Sequence, residues 1–192
     1  MTRNIDENIK RQLVKKMTHF IKYFPVRIRN VGEDAILNRQ LMWDFKDGKE
    51  EATEQVARMT AEYLKAEFGE QVKDILLVTI PASTQAKNET RYKYFCNRVS
   101  ELTGIANGYD HIKVAEDRLA VHELGRNKRL SSVAVLEIDK DFFNGKQIVC
   151  WDDCVTTGIS YSTFANKLEE LGGIVLEGVF LGRTSYRYKK QG

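Results

Sequence analysis

The residues best suited to bind a ligand lie in one short stretch near the end of the chain. Asp152 and Asp153 come after an apolar run that begins at Ile148. Two threonines, a glycine and a serine follow them: Thr156, Thr157, Gly158 and Ser160. This order is typical of a strand, a turn and the start of a helix, whose unpaired backbone N–H groups can bind a phosphate. Two carboxylates beside such a turn can accept hydrogen bonds from vicinal hydroxyls, so the residues favour a phosphorylated sugar as ligand.

The same stretch resembles the phosphoribosyl-pyrophosphate (PRPP) signature of type I phosphoribosyltransferases. In that signature, apolar residues precede an acidic pair, two more apolar residues and Thr-Thr-Gly-x-Thr/Ser. The acidic pair, Val155, the Thr-Thr-Gly and Ser160 match, whereas Trp151 and Cys154 stand where smaller aliphatic residues are usual. The order of elements over 74–184 is most similar to the ComF-like, amidophosphoribosyltransferase-like branch of the family.

The resemblance implies a PRPP-dependent pentosyltransferase of nucleotide metabolism. Such an enzyme uses PRPP and Mg²⁺, transfers the phosphoribosyl group to a nitrogen nucleophile and releases pyrophosphate. Asp152 and Asp153 would bind the ribose, with Mg²⁺ near them but held mainly by substrate oxygens. The phosphate would be bound by the turn and the first residues of the helix: Val155, Thr156, Thr157, Gly158, Ile159 and Ser160.

Each part of this predicted site has an alternative interpretation that involves no ligand. A Ser/Thr-rich turn can cap a helix without any ligand. Adjacent carboxylates at the end of a buried strand repel each other and need a partner, which can equally be a lysine or an arginine. If both acids are buried in such salt bridges and no cavity adjoins the turn, the sugar-phosphate hypothesis fails.

Two further segments match loops of the family by position. The first is the pyrophosphate loop, with Ala82, Ser83, Thr84, Lys87 and Arg91 as candidate contacts. Many relatives have a glycine there, whereas this chain has none between Gly69 and Gly104, so a plain strand-to-helix connection is the alternative. The second is the flexible loop that closes over the substrate. It would lie in 116–129 and use Arg126, Lys128 and Arg129, unless it is only a mobile basic surface loop. Arg183 follows the last predicted strand and is a candidate neighbour of the acceptor.

Hydrophobic periodicity predicts the elements that position these residues. Apolar residues three or four apart predict a helix over 5–24, and alternation favours a strand over 41–45. Further helices are predicted over 49–68, 91–102 and 159–171, and strands over 74–80, 109–114, 132–138, 147–151 and 174–181. Polar loops are predicted over 81–88 and 116–130.

This order of elements predicts an α/β fold with an open, mostly parallel sheet flanked by helices. Ligands of such sheets bind at the carboxyl ends of the strands. We expect one phosphoribosyltransferase-like domain over 1–192. It would comprise a helix and a small N-terminal hood in 1–48, an α/β core in 49–184 and a basic tail in 185–192.

Composition limits the partners and the location. The net charge of +3 on 192 residues is small, so we expect no nucleic-acid partner. No apolar run approaches the roughly 20 residues that cross a bilayer, so no membrane contact is expected. Acidic residues near the start and the lack of an apolar signal region predict a cytoplasmic protein. Three scattered cysteines do not form a disulfide framework (Cys96, Cys150 and Cys154). The family implies a homodimer.

A second function is compatible with the same signature. A PRPP-binding regulator without catalytic activity, or a ComF-like factor connected with DNA uptake, would need the same PRPP-binding residues. Binding and catalysis share these residues, and the nitrogenous acceptor of a transferase would contact the hood, whose sequence is not diagnostic.

Overall fold

A parallel five-stranded sheet forms the centre of the structure. The computed structural model describes residues 6–115 and 135–188. Its strands are β1 (Met17–Tyr23), β2 (Ile75–Thr79), β3 (Ala106–Asn107), β4 (Ile112–Ala115), β5 (Val135–Ile138), β6 (Gln147–Val155) and β7 (Ile174–Thr184). The sheet has the order β1-β7-β6-β2-β3, and β4 pairs with β5 in a separate antiparallel ladder.

Helices cover both faces of this sheet. They are α1 (Glu7–Leu13), α2 (Glu33–Lys46), α3 (Glu50–Phe68), α4 (Gln85–Asn88), α5 (Tyr94–Thr103) and α6 (Ile159–Glu170), with a π-helical turn over Glu89–Lys93 between α4 and α5. Along β2, Ile75 and Leu77 pack in the core formed with α2, α3 and α5, whereas Leu76 and Val78 pack in the core formed with α6. Every residue of β2 is buried, as expected for a parallel strand covered on both faces. The predicted α/β fold with a mostly parallel sheet flanked by helices is confirmed.

The prediction of one helix over 5–24 is wrong beyond Leu13. Residues Met17–Tyr23 form β1, which pairs in parallel with β7. The segment contains Thr18, Phe20 and Ile21, which suit a strand, and the sheet satisfies its backbone groups. Met17, Phe20 and Phe24 continue the spacing of three or four residues that begins in α1, whereas burial along β1 shows no alternation. The main sheet thus includes a strand from the segment 1–48 that was assigned to the helix and hood.

The predicted strand over 41–45 is also wrong, because these residues lie in α2. Met42 and Phe45 are buried three positions apart on one side of the helix. Trp43, between them, is 40 % exposed, so the alternation of apolar residues has no counterpart in burial.

The remaining predicted elements are present with shifted ends. The helices over 49–68 and 159–171 and the strands over 74–80 and 174–181 agree with α3, α6, β2 and β7. The helix predicted over 91–102 begins earlier, at Gln85, so the polar loop predicted over 81–88 is shorter. The strand predicted over 109–114 begins at Ile112, and β5 is described from Val135. The long loop predicted over 116–130 lies outside the described residues.

The most consequential shift concerns β6. It continues past position 151 to Val155, because its pairing with β7 extends to Val155 opposite Arg183. The acidic pair therefore lies within the last part of the strand and not after it.

In the ranges 6–115 and 135–188, every helix is too short or too polar to cross a bilayer.

Candidate functional site

The loop after β2 and the acidic pair meet at one edge of the sheet. Strands β2 and β6 are parallel neighbours, with Thr79 opposite Trp151. The Ile80 N–H donates to the Trp151 carbonyl at 2.8 Å, so the loop that starts at Pro81 leaves the sheet beside Asp152. Both loops thus lie at the carboxyl ends of their strands, but the second begins after Val155 and not, as predicted, after Trp151.

The turn after β6 leads directly into α6 and lines a cavity of about 100 Å³. Gly158 has the left-handed φ of +78°, and its carbonyl accepts hydrogen bonds from the N–H and the hydroxyl of Ser162, both at 2.9 Å. In the described part of the chain, no group accepts from the N–H of Ser160 or Tyr161. The cavity is lined by all six predicted phosphate-binding residues, together with Asp152, Cys154, Tyr161 and Phe180. Such a site can bind a phosphate-sized anion.

Three residues outside the motif hold this turn in place. A Cβ atom on Gly158 would lie 2.5 Å from Leu13 Cδ2 and 3.2 Å from Met17 Cε, so α1 and β1 pack directly against the turn. On the other side, the hydroxyls of Thr156 and Thr184 are 2.7 Å apart. Sequence reasoning missed Leu13, Met17 and Thr184, because no local pattern connects them with residue 158.

Asp152 lies at the edge of the cavity. Its Oδ1 accepts hydrogen bonds from the Tyr92 hydroxyl at 3.0 Å and from the Asp153 N–H at 2.8 Å. Burial of the carboxyl group, and secondly the negative charge of Asp153, raise the pKa of Asp152 above its usual range. A side chain of this kind can exchange hydrogen bonds with a sugar hydroxyl in the cavity.

Asp153 is buried and bound by two cations. Lys46 Nζ lies 3.1 Å from its Oδ1, and Arg91 Nη1 lies 2.5 Å from its Oδ2. The salt-bridge alternative for the acidic pair therefore holds for Asp153, whereas Asp152 has no cation within salt-bridge distance in the described part of the chain. Arg91, a predicted pyrophosphate contact, is engaged with Asp153 instead. Lys46 was missed, since only the fold brings residues 46 and 153 together.

The loop after β2 has the predicted position but a modest set of contacts. Ala82 is buried, and its N–H donates to Asn88 Oδ1 at 3.0 Å, so the buried Asn88 side chain fixes the loop. Thr84 caps α4 by accepting from the Lys87 N–H at 3.3 Å. Ser83, Thr84 and Lys87 are exposed, so their hydroxyl and ammonium groups are accessible to an anion.

Four candidate residues remain, and only one of them lies in the described part of the chain. Arg126, Lys128 and Arg129 lie outside the described residues, which end at β4 and resume at β5. Arg183 is exposed on β7, not after it, and stands opposite Lys22 in the sheet.

Within 6–115 and 135–188, no three His, Cys, Asp or Glu side chains are grouped as metal ligands. Both oxygens of Asp153 are paired with cations, which leaves Asp152 as the carboxyl group that faces the cavity. A Mg²⁺ ion here would need ligand oxygens from a substrate.

Comparison of the chain with models of protein families and with curated proteins finds no match. The resemblance to phosphoribosyltransferases therefore depends on the sequence motif and on the order of the elements.

The raised pKa of Asp152 predicts a pH-dependent stability. Because the folded state binds this proton more tightly than the unfolded chain, the contribution of Asp152 is greatest below its usual pKa of 3.8 and is lost as the pH rises through the raised value. Asp152→Asn removes this titration. Relative to the native protein, the variant should gain more free energy of unfolding at about pH 8 than at about pH 4. Urea unfolding at both pH values measures this, and a pH-independent difference would contradict it.

Proposed function

We propose that the chain binds PRPP as its magnesium complex and transfers the phosphoribosyl group to a nitrogen nucleophile, with release of pyrophosphate. The observation that carries this proposal is the cavity of about 100 Å³ that places the turn over 155–160 beside Asp152. Phosphate-binding groups and a sugar-binding carboxyl group thus adjoin one space. The order of these residues is that of the PRPP signature.

In this proposal the turn binds the 5′-phosphate. Its donors would be the N–H groups of Ser160 and Tyr161, which meet no acceptor among the described residues, and the exposed hydroxyls of Thr156 and Thr157. The dipole of α6 adds about 0.3–1 kcal/mol for a favourably placed negative charge. Asp152 would contact the ribose hydroxyls, which lie next to the phosphate in PRPP.

The proposed reaction needs little covalent participation of the protein. The bond between C1 and the pyrophosphate oxygen breaks, the nitrogen lone pair forms a new bond to C1, and pyrophosphate leaves with both bonding electrons. The protein positions the sugar, stabilises the developing charge and excludes water. The leaving pyrophosphate would be bound by exposed groups of the loop after β2 and the start of α4, namely Ser83, Thr84 and Lys87. Mg²⁺ would enter as part of the substrate complex.

One observation favours a second candidate, a PRPP-binding regulator without catalytic activity. Asp153, half of the acidic pair, is paired through its two oxygens with Lys46 and Arg91, so it is less available to a sugar hydroxyl than Asp152. A protein that binds PRPP without turning it over needs only the turn and Asp152.

Pyrophosphate release separates the candidates. Purified protein is mixed with PRPP, Mg²⁺ and a panel of nucleobases and ammonia, and pyrophosphate is assayed, with ribose 5-phosphate in place of PRPP as the control without a leaving group. The transferase predicts release with at least one acceptor. Binding of PRPP without release from any mixture supports the regulator, and a failure to bind PRPP contradicts both.

A further inference from the structure

Asp153 is bound on each of its two oxygens by a cation from a different element. Lys46 belongs to the last turn of α2 and Arg91 to the π-helical turn before α5. We call these three side chains the Asp153 ion-pair cluster. It contains two positive charges and one carboxylate, beside a second carboxyl group, Asp152, whose Oδ1 accepts from Tyr92.

The backbone holds the two cations at a defined separation. Gly48, just after Lys46, has a φ of +70°, and a Cβ atom there would lie 2.6 Å from the Thr90 carbonyl oxygen. The turn that follows α2 thus packs directly against the residue before Arg91. Any side chain at position 48 would push the two elements apart, so the small turn sets the spacing of the cluster.

The cluster is not a fully satisfied structural ion pair. Arg91 Nε is buried and donates to no acceptor in the described part of the chain, which is an unfavourable arrangement. The Lys46 side chain is 37 % exposed, so its ammonium group remains in reach of solvent. A lysine ammonium is a point charge with three donors on a flexible stem, so it can reach a second partner nearby.

We propose that Lys46 is a further ligand-binding residue, and that Lys46 and Arg91 move from Asp153 to the pyrophosphate group of an incoming ligand. A pyrophosphate offers more negative charge than one carboxylate and so competes for both cations. Asp153 is then free to accept hydrogen bonds from sugar hydroxyls, as the signature requires. This inference rests on the proposed function, since it concerns how the same site binds PRPP.

If the two cations move from Asp153 to the pyrophosphate, a change at Lys46 should affect the binding of PRPP and of ribose 5-phosphate differently. We call this movement the exchange. Lys46→Met keeps the apolar stem and removes the charge. Binding of PRPP should weaken about tenfold, because one charge-assisted hydrogen bond to the pyrophosphate is lost. Binding of ribose 5-phosphate, which has no pyrophosphate, should be unchanged or tighter, because Asp153 is less firmly held. Titration calorimetry with each ligand in the presence of Mg²⁺ measures both.

Lys49→Met is the matched control. Lys49 is also an exposed lysine near the end of α2, but its Nζ pairs with Asp44 at 2.6 Å. Its replacement should change neither affinity. Equal losses for both ligands in Lys46→Met, or no change for either, would overturn the exchange while leaving the proposed function intact. If the native protein binds neither ligand, the proposed function fails and the exchange fails with it.

Discussion

Gly158→Ala should reduce the affinity for ribose 5-phosphate and for PRPP by at least about thirtyfold, equivalent to roughly 2 kcal/mol of binding energy. Two features of the turn lead to this expectation. A left-handed φ of +78° costs an alanine about 1–2 kcal/mol. The added Cβ would also lie 2.5 Å from Leu13 Cδ2, so either the turn or α1 must move. In the proposed function the turn supplies the phosphate donors, so its displacement would turn their N–H groups away from the ligand.

Gly145→Ala separates backbone strain from the loss of the site. Gly145 has a similar φ of +72°, but a Cβ atom there would meet nothing within 4 Å. Both variants should therefore lose stability in urea unfolding, Gly158→Ala more than Gly145→Ala, and only Gly158→Ala should lose ligand affinity in calorimetry. If Gly158→Ala binds ribose 5-phosphate as tightly as Gly145→Ala does, the turn is not the phosphate site.

Arg91→Met should lower the free energy of unfolding by about 3 kcal/mol, near the lower end of the range for breaking a buried salt bridge. The replacement leaves the buried Asp153 carboxylate with one cation, Lys46, in place of two. Asp153→Asn should be costly for the reciprocal reason, since it leaves the Arg91 guanidinium, 16 % exposed, without its charged partner. The double variant should cost less than the sum of the two, because neither charge is then left alone.

Arg58→Met provides the comparison for an exposed pair. Arg58 pairs with Glu54 one helical turn away on α3, and its side chain is 58 % exposed. Such pairs contribute about 0.3–0.5 kcal/mol. Urea unfolding of the four variants should therefore rank Arg91→Met well above Arg58→Met. Similar costs for the two arginines would show that Asp153 does not depend on its buried partner.

Local sequence patterns predict those elements of the fold in which the apolar residues of the pattern are also the buried residues. The apolar run of β2 is buried throughout, and the periodic residues of α6, Phe164 and Leu168, are buried. The prediction is wrong where the spacing of apolar residues is compatible with both a helix and a strand. In β1, pairing with β7 decides in favour of a strand, and no property of 17–23 alone reveals that partner.

The turn over 155–160 could be located from the sequence because its residues are contiguous. Its supporting residues could not, since they come from distant parts of the chain. Leu13 and Met17 pack against Gly158 because α1 and β1 lie beside the turn, and Thr184 of β7 contacts Thr156. Lys46 likewise reaches Asp153 only because α2 ends beside the π-helical turn.

Trp151, which departs from the resembled signature, is accommodated in a similar way. It is fully buried, and its Nε1 donates to Thr60 Oγ1 at 3.2 Å on α3, a residue far away in the sequence. Phe45 and Phe95 pack against its ring, with centroids 5.3 and 4.2 Å away.

The most direct test of the central claim, that the turn after β6 binds the phosphate of a sugar phosphate, is a backbone amide titration by NMR. Ribose 5-phosphate is added to ¹⁵N-labelled protein, and the chemical-shift changes are assigned to residues. We expect the largest changes on the amides of residues 156–161, with smaller ones at Asp152. Saturable changes centred elsewhere, or none at these amides at millimolar ligand, would contradict it.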